Sequence, residues 1–166
     1  MPLVDFKWYA LQVRSRLEER VSEMLTVKGY SVFLPTFAVR KRVGPKSEKK
    51  HVPMFPGYLF CQYSSSLTNK IVDTPGLMRI VGFENGPAPV EDSEIASLRR
   101  ICDSGVCATM WQHTAVGRKV RITSGPLTDV EGSFVRERSS DRIVVSISLL
   151  GRAVSVEIDG NDVVAV

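Results

Sequence analysis

An α+β domain followed by a small all-β barrel is the architecture this sequence predicts, on three observations. Segments of strand and helix character alternate over about the first hundred residues. After residue 106 only short β-type runs remain. The excess positive charge is confined to the first part: residues 1–110 carry 15 Lys and Arg against 11 Asp and Glu, while residues 111–166 carry seven of each. Of the 166 residues, 43% are hydrophobic and 24% charged, a composition that folds.

Residues 7–13 (Lys-Trp-Tyr-Ala-Leu-Gln-Val) are aromatic and β-branched and read as a strand. Ser15, with Glu18 three residues later, reads as a capping box opening a helix. Leu17, Val21, Met24 and Leu25 then form one apolar stripe, and Gly29 stands where a helix closes. Residues 31–34 and 36–43 read as extended segments interrupted by Pro35. From Arg40 to His51 the chain holds Arg40, Lys41, Arg42, Lys46, Lys49 and Lys50 against Glu48 alone, with Gly44 and Pro45 breaking regular structure. This segment reads as a mobile basic loop, either a phosphate-contacting device or a merely solvated hairpin tip.

Residues 58–63 are another strand, and 67–73 a short helix stopped by Thr74-Pro75-Gly76. Residues 78–81 are strand-like, and Asn85-Gly86-Pro87 is a turn. A helix beginning near Asp92 or Ser93 places Ile95, Leu98, Ile101 and Cys102 on one side and ends at Gly105. This alternation suits a ferredoxin-like α/β sandwich over residues 1–106. Residues 107–115 read as a linker. Runs at 119–123, 133–138, 142–148 and 153–158 then suggest four or five antiparallel strands closing a barrel over 116–166.

Reactive constellations are absent. The chain has no GxSxG elbow, Walker loop or HExxH helix. Cys61 falls within a strand and reads as a structural thiol. Cys102 and Cys107 flank a helix end, without CxxC spacing, so neither a disulfide framework nor a zinc site is expected. His51 and His113 are too few for a histidine metal site. Glu91, Asp92 and Glu94 sit at a helix start, where negative charge suits the dipole. No cofactor is expected, and the chain reads as a binding protein rather than an enzyme. Apolar runs of a few residues exclude a transmembrane helix, which needs roughly 20. Residues 1–10 lack the apolar core of a secretory signal. A monomeric cytoplasmic protein is expected.

Three features together resemble the NusG family of transcription elongation factors. They are Trp8-Tyr9-Ala10-Leu11-Gln12 before a helix, Met54-Phe55-Pro56-Gly57-Tyr58-Leu59-Phe60 after a basic loop, and Val116-Gly117-Arg118-Lys119-Val120-Arg121-Ile122 with Gly125-Pro126-Leu127. The last, with Ser148-Leu149-Leu150-Gly151-Arg152, is similar to a KOW module. Thr74-Pro75-Gly76-Leu77, Gly86-Pro87-Ala88-Pro89 and Val154-Ser155-Val156-Glu157 are similar to the specialised UpxY and RfaH-like paralogues.

The resemblance implies an N-terminal (NGN) domain that binds the clamp helices of RNA polymerase and suppresses pausing and termination. It further implies a KOW barrel that recruits a partner such as a ribosomal protein or the Rho terminator, on selected operons such as surface polysaccharide clusters. Gln12, Phe55, Pro56, Gly57 and Tyr58 would then line the polymerase-binding groove, with Phe55 and Tyr58 as exposed aromatic anchors. The opposing reading puts both rings in the core, where Trp8 is already expected. Thr68 and Asn69 would reach the opposite polymerase wall. Arg14, Arg16, Arg20 and Lys28 match positions facing the non-template DNA strand, Arg16 and Arg20 sharing a helix face. Their alternative is a solvated face paired with Glu18, Glu19 and Glu23. Leu149, Leu150 and Arg152 would form the KOW partner loop, and the barrel is expected to remain β, with no helical autoinhibited form. A ribosome- or RNA-binding KOW protein is the rival reading.

Overall fold

A computed structural model describes residues 5–111, 117–136 and 140–166. The chain forms two compact units, one from residues 5–35 and 53–92, the other from the described residues of 36–52 and 93–166. Among the described residues, no helix is long and apolar enough to cross a membrane.

The first unit is built on β1 (Phe6–Val13). It pairs antiparallel with β5 (Tyr58–Ser64) on one side and with β6 (Leu77–Ile80) on the other; β2 (Ser31–Phe33) extends the sheet beyond β5, and β9 (Pro89–Val90) also pairs with β1. Strand side chains alternate between faces, and the sequence of β1 uses both. Tyr9, Leu11 and Val13 join Leu59, Cys61 and Tyr63 of β5 in a core closed by Val21 and Leu25 of α1 (Glu18–Val27) and Ile71 of α2 (Thr68–Val72). Tyr9 and Tyr63 lie with ring centroids 4.5 Å apart. On the other face Trp8 and Ala10 are buried too, as is Phe60. A tight hairpin, β7 (Gly82–Phe83) with β8 (Gly86–Pro87), follows β6.

The expected capping box does not form. The chain turns at Arg14–Leu17 with Arg16 in the left-handed region at φ 69°, and the helix begins at Glu18 with no side-chain cap at Leu17. The Glu18 carboxylate instead accepts the Gly57 N–H at 2.9 Å. The expected C-terminus holds: Gly29 N–H reaches Thr26 O at 3.0 Å and Tyr30 N–H reaches Leu25 O at 3.1 Å, a Schellman closure.

In the second unit, the expected mobile loop is a β-hairpin. β3 (Thr36–Val43) and β4 (Lys46–Pro53) pair across Gly44-Pro45. Gly44, at φ 63°, is the first central residue, where a two-residue hairpin turn calls for glycine. The two residues read as breaking regular structure are the turn that makes it. The remainder comprises α3 (Asp92–Ser104) and a six-stranded antiparallel sheet. Its order is β10 (Ala108–Trp111), β14 (Arg152–Ile158), β13 (Asp141–Ile147), β12 (Glu131–Arg136), β11 (Arg118–Ile122) and β15 (Val163–Ala165).

Residues 108–111, read as linker, are thus an edge strand: Thr109, Met110 and Trp111 suit a pleated surface, and Thr109 Oγ1 lies 3.2 Å from Ser155 Oγ across the ladder. The rest of that expected linker, 112–116 with His113, lies outside the described residues, as do 137–139. The β-branched runs form β13 and β14, burying Ile143, Val144, Val145, Ile147, Val154 and Val156. α3 is tied to this sheet. Ser97 Oγ, on a buried residue, accepts the Glu131 N–H at 3.1 Å, and Glu94 accepts from Ser148 N–H and Oγ–H at 3.2 and 2.8 Å.

Candidate functional site

The segment 54–58 turns on Pro56-Gly57, with Gly57 at φ 84° and the Tyr58 N–H bonded to Phe55 O at 3.0 Å. Both polar ends of Gly57 are anchored: its N–H to Glu18, and its carbonyl to the Val13 N–H at 2.9 Å. This locks the turn against the end of β1. Pro56 is exposed and Tyr58 half-buried, but Phe55 is fully buried and meets Phe60 edge-on at 6.2 Å. The expectation that Phe55 is an exposed anchor is therefore corrected. The turn separates the two rings, and the apolar one without a hydroxyl fills the core beside Phe60. Trp8 is buried as expected.

Gln12 lies directly between Tyr58 on β5 and Arg79 on β6 in the sheet register. Directly opposed residues share a face, so these three form one row across the sheet. Arg79 Nε donates to Gln12 Oε1 at 2.7 Å, which fixes the amide and turns its NH2 away from Arg79. Sequence reasoning missed Arg79, because only the register between β1 and β6 brings it beside Gln12. The side chains of Thr68 and Asn69 lie outside the described residues; their backbone opens α2.

Arg14, Arg16 and Arg20 are all exposed, and among the described residues none forms an ion pair. Arg16 and Arg20 do not share a helix face, because Arg16 precedes the helix in a left-handed turn. The proposed partner Glu18 is committed to Gly57. Arg14 is fixed through its N–H, which donates to Gly76 O at 2.9 Å. Lys28 is exposed. Its Nζ donates to Thr74 Oγ1 at 3.0 Å and reaches Lys70 O at 3.5 Å, tying α1 to the end of α2.

In the second unit Arg40, Lys41, Arg42, Lys46, Lys49 and Lys50 are all exposed along the hairpin. Leu149 and Leu150 lie half-buried in a single 3-10 turn (Ser148–Leu150) between β13 and β14, and Arg152 is exposed at the start of β14. A separate cavity of about 180 Å³ is bounded by Val106, Ile122, Leu127 and Ile158, with Asp159 and Asp162, and does not include that turn.

Among the described residues no group of His, Cys, Asp and Glu is placed to hold a metal ion. Burial pushes the Cys61 thiol up to about 12, which keeps it protonated and unreactive. Burial raises Cys102 as well.

Residues 6–99 match the family described as NusG, transcription termination factor nusG. The transcription termination/antitermination protein NusG of Pasteurella multocida is 30% identical, over 95% of this chain and 93% of that protein. The protein of that name from Thermus thermophilus is 29% identical over 97% and 99%, and that from Escherichia coli K12 28% over 95% and 94%. A solved structure described as "Domain interaction in Thermotoga maritima NusG" aligns with a TM-score of 0.57 at 24% identity, over 98% of each chain, a likeness of fold. With half the chain inside the family's own pattern and relatives aligned nearly end to end, this chain belongs to the NusG family of transcription termination and antitermination factors, and it is not an enzyme.

Proposed function

We propose that this chain is a transcription antitermination factor that docks on the clamp helices of RNA polymerase through its first unit. The observation that carries the reading is the Tyr58–Gln12–Arg79 row beside the locked Gly57 turn. An aromatic flanked by oriented donors at a sheet end is the chemistry of an interface anchor. Arg14, Arg16 and Arg20, exposed without ion pairs, supply contacts to the non-template DNA strand, and the hairpin cations add sequence-independent attraction. Thr68 and Asn69 reach the opposite polymerase wall. The proposed division is the family's, a ferredoxin-like NGN domain over 1–106 and a KOW barrel over 116–166. Leu149, Leu150 and Arg152 recruit a ribosomal protein or Rho. The segments similar to UpxY and RfaH-like paralogues favour action on selected operons, such as those for surface polysaccharides, in the cytoplasm.

The test is retention of the full-length protein on core RNA polymerase, paired with transcription through a pause and a terminator. Tyr58→Ala is expected to weaken retention by about 30-fold, equivalent to about 2 kcal/mol at a hot spot, with the fold intact. Phe55→Ala instead lowers stability by about 3–5 kcal/mol, because it empties a buried site. Undiminished retention of Tyr58→Ala and Gln12→Ala together, or sedimentation with ribosomes in place of polymerase, would sink the docking reading.

A further inference from the structure

The basic hairpin carries its charge on two faces, and the distribution is specific. β3 ends at Val43 and β4 begins at Lys46, so these two residues oppose each other across a two-residue turn. The ladder runs in the same register to its base, where Met54 N–H donates to Pro35 O at 2.8 Å. Opposed residues share a face and neighbours alternate. Arg40, Arg42 and Lys49 therefore lie on one face with His51, and Lys41, Lys46 and Lys50 on the other with Glu48. Thr36 Oγ1, 3.5 Å from His51 Nδ1, belongs to the first of these faces. Every residue from 38 to 51 is exposed.

Three cations on each face suit a particular occupant. A ribbon lying along a single strand meets one row of phosphates and uses one face. The major groove of B-DNA, about 12 Å wide, admits a two-stranded ribbon and has a phosphate row along each wall. The major groove of an A-form RNA duplex is too narrow for side chains to enter. Spanning eight residues per strand, the hairpin reaches roughly 26 Å at about 3.3 Å per residue, enough to follow a groove wall across several base pairs. We propose that this hairpin enters the major groove of double-stranded DNA edge-on, with Arg40, Arg42 and Lys49 toward one phosphate wall and Lys41, Lys46 and Lys50 toward the other. This deepens the nucleic-acid reading of the hairpin and does not depend on polymerase docking, since it concerns DNA alone.

The experiment is fluorescence polarisation of the full-length protein across a salt series, with a short DNA duplex, one of its strands, and the RNA duplex of equal length. Tighter binding to the DNA duplex than to the other two is expected. Arg40→Gln with Arg42→Gln, and separately Lys41→Gln with Lys50→Gln, should each lower the salt slope on duplex DNA by about 1.8, the loss of two phosphate contacts. Gly44→Ala keeps every charge but strains the turn at its φ of 63°, so the duplex preference should be lost. Equal binding to single strand and duplex, or one face carrying the whole effect, overturns the groove proposal. Failure to bind any of the three overturns the nucleic-acid reading of the hairpin itself.

Discussion

Phe55 and Tyr58 are three residues apart in one aromatic segment, yet they have opposite environments. Pro56 and Gly57 between them reverse the chain, so Phe55 is directed onto Phe60 while Tyr58 starts a strand half in solvent. Burying a phenyl ring is worth about 1.5–3 kcal/mol, and a tyrosine keeps a hydroxyl that favours a wet edge. The cysteines show a similar contrast. Cys61 is buried with its thiol raised to about 12 from 9.0, whereas Cys107 is exposed. A thiol reagent at neutral pH should therefore label Cys107 rapidly and Cys61 only after unfolding. Because the folded value lies above the unfolded one, the protonated thiol stabilises the fold fully below pH 9, and that contribution is lost as pH rises toward 12. Urea unfolding of the native chain should weaken more steeply over that interval than unfolding of Cys61→Ala; equal slopes would count against the buried thiol.

At the scale of elements, α1 and the Gly57 turn depend on one carboxylate. Glu18 sits at the first position of α1, is buried, and takes the Gly57 N–H at 2.9 Å. Glu18→Ala leaves a donor without its charged acceptor, which should cost about 1.5–3 kcal/mol in chemical denaturation. Glu18→Gln, which keeps an acceptor of the same shape, should recover much of that loss. If Glu18→Ala is as stable as the native chain, the turn is held by something else. The spacing is a legible local signal that the fold uses differently. Ser15 and Glu18 have capping-box spacing, but spacing says nothing about a distant amide competing for the same oxygen. The basic segment shows a related contrast: Gly44-Pro45 breaks a regular run by composition, yet Gly44 at φ 63° is what a two-residue hairpin turn requires. By contrast, the apolar stripe of α1, its closure at Gly29 and the strand character of β1, β5, β13 and β14 were all legible, because each follows from neighbours a few residues apart.

For the whole molecule, the change of pattern along the chain does not coincide with a gap in its hydrogen bonding. The change from mixed to all-β patterning near residue 106 is real, but α3 lies before it and is hydrogen-bonded to the sheet that comes after it. Ser97 is buried with its Oγ on the Glu131 N–H. Ser97→Ala should destabilise the second unit by about 1–3 kcal/mol, the cost of a buried unsatisfied amide. The same change at the exposed Ser93 should be neutral. Two equally stable variants would show that the sheet does not need the Ser97–Glu131 hydrogen bond.

The amino-acid order alone determined the strand character of β1, β5, β13 and β14, the apolar stripe of α1 and where the cations concentrate, since these rest on local periodicity and composition. The three-dimensional arrangement alone decided that Phe55 is core, that Arg79 stands beside Gln12, that Glu18 serves Gly57, and that the hairpin's charges are split between two faces. Each of these depends on register or on contacts between residues distant in sequence, and pairing energy between strands is set by neighbours that no local pattern specifies.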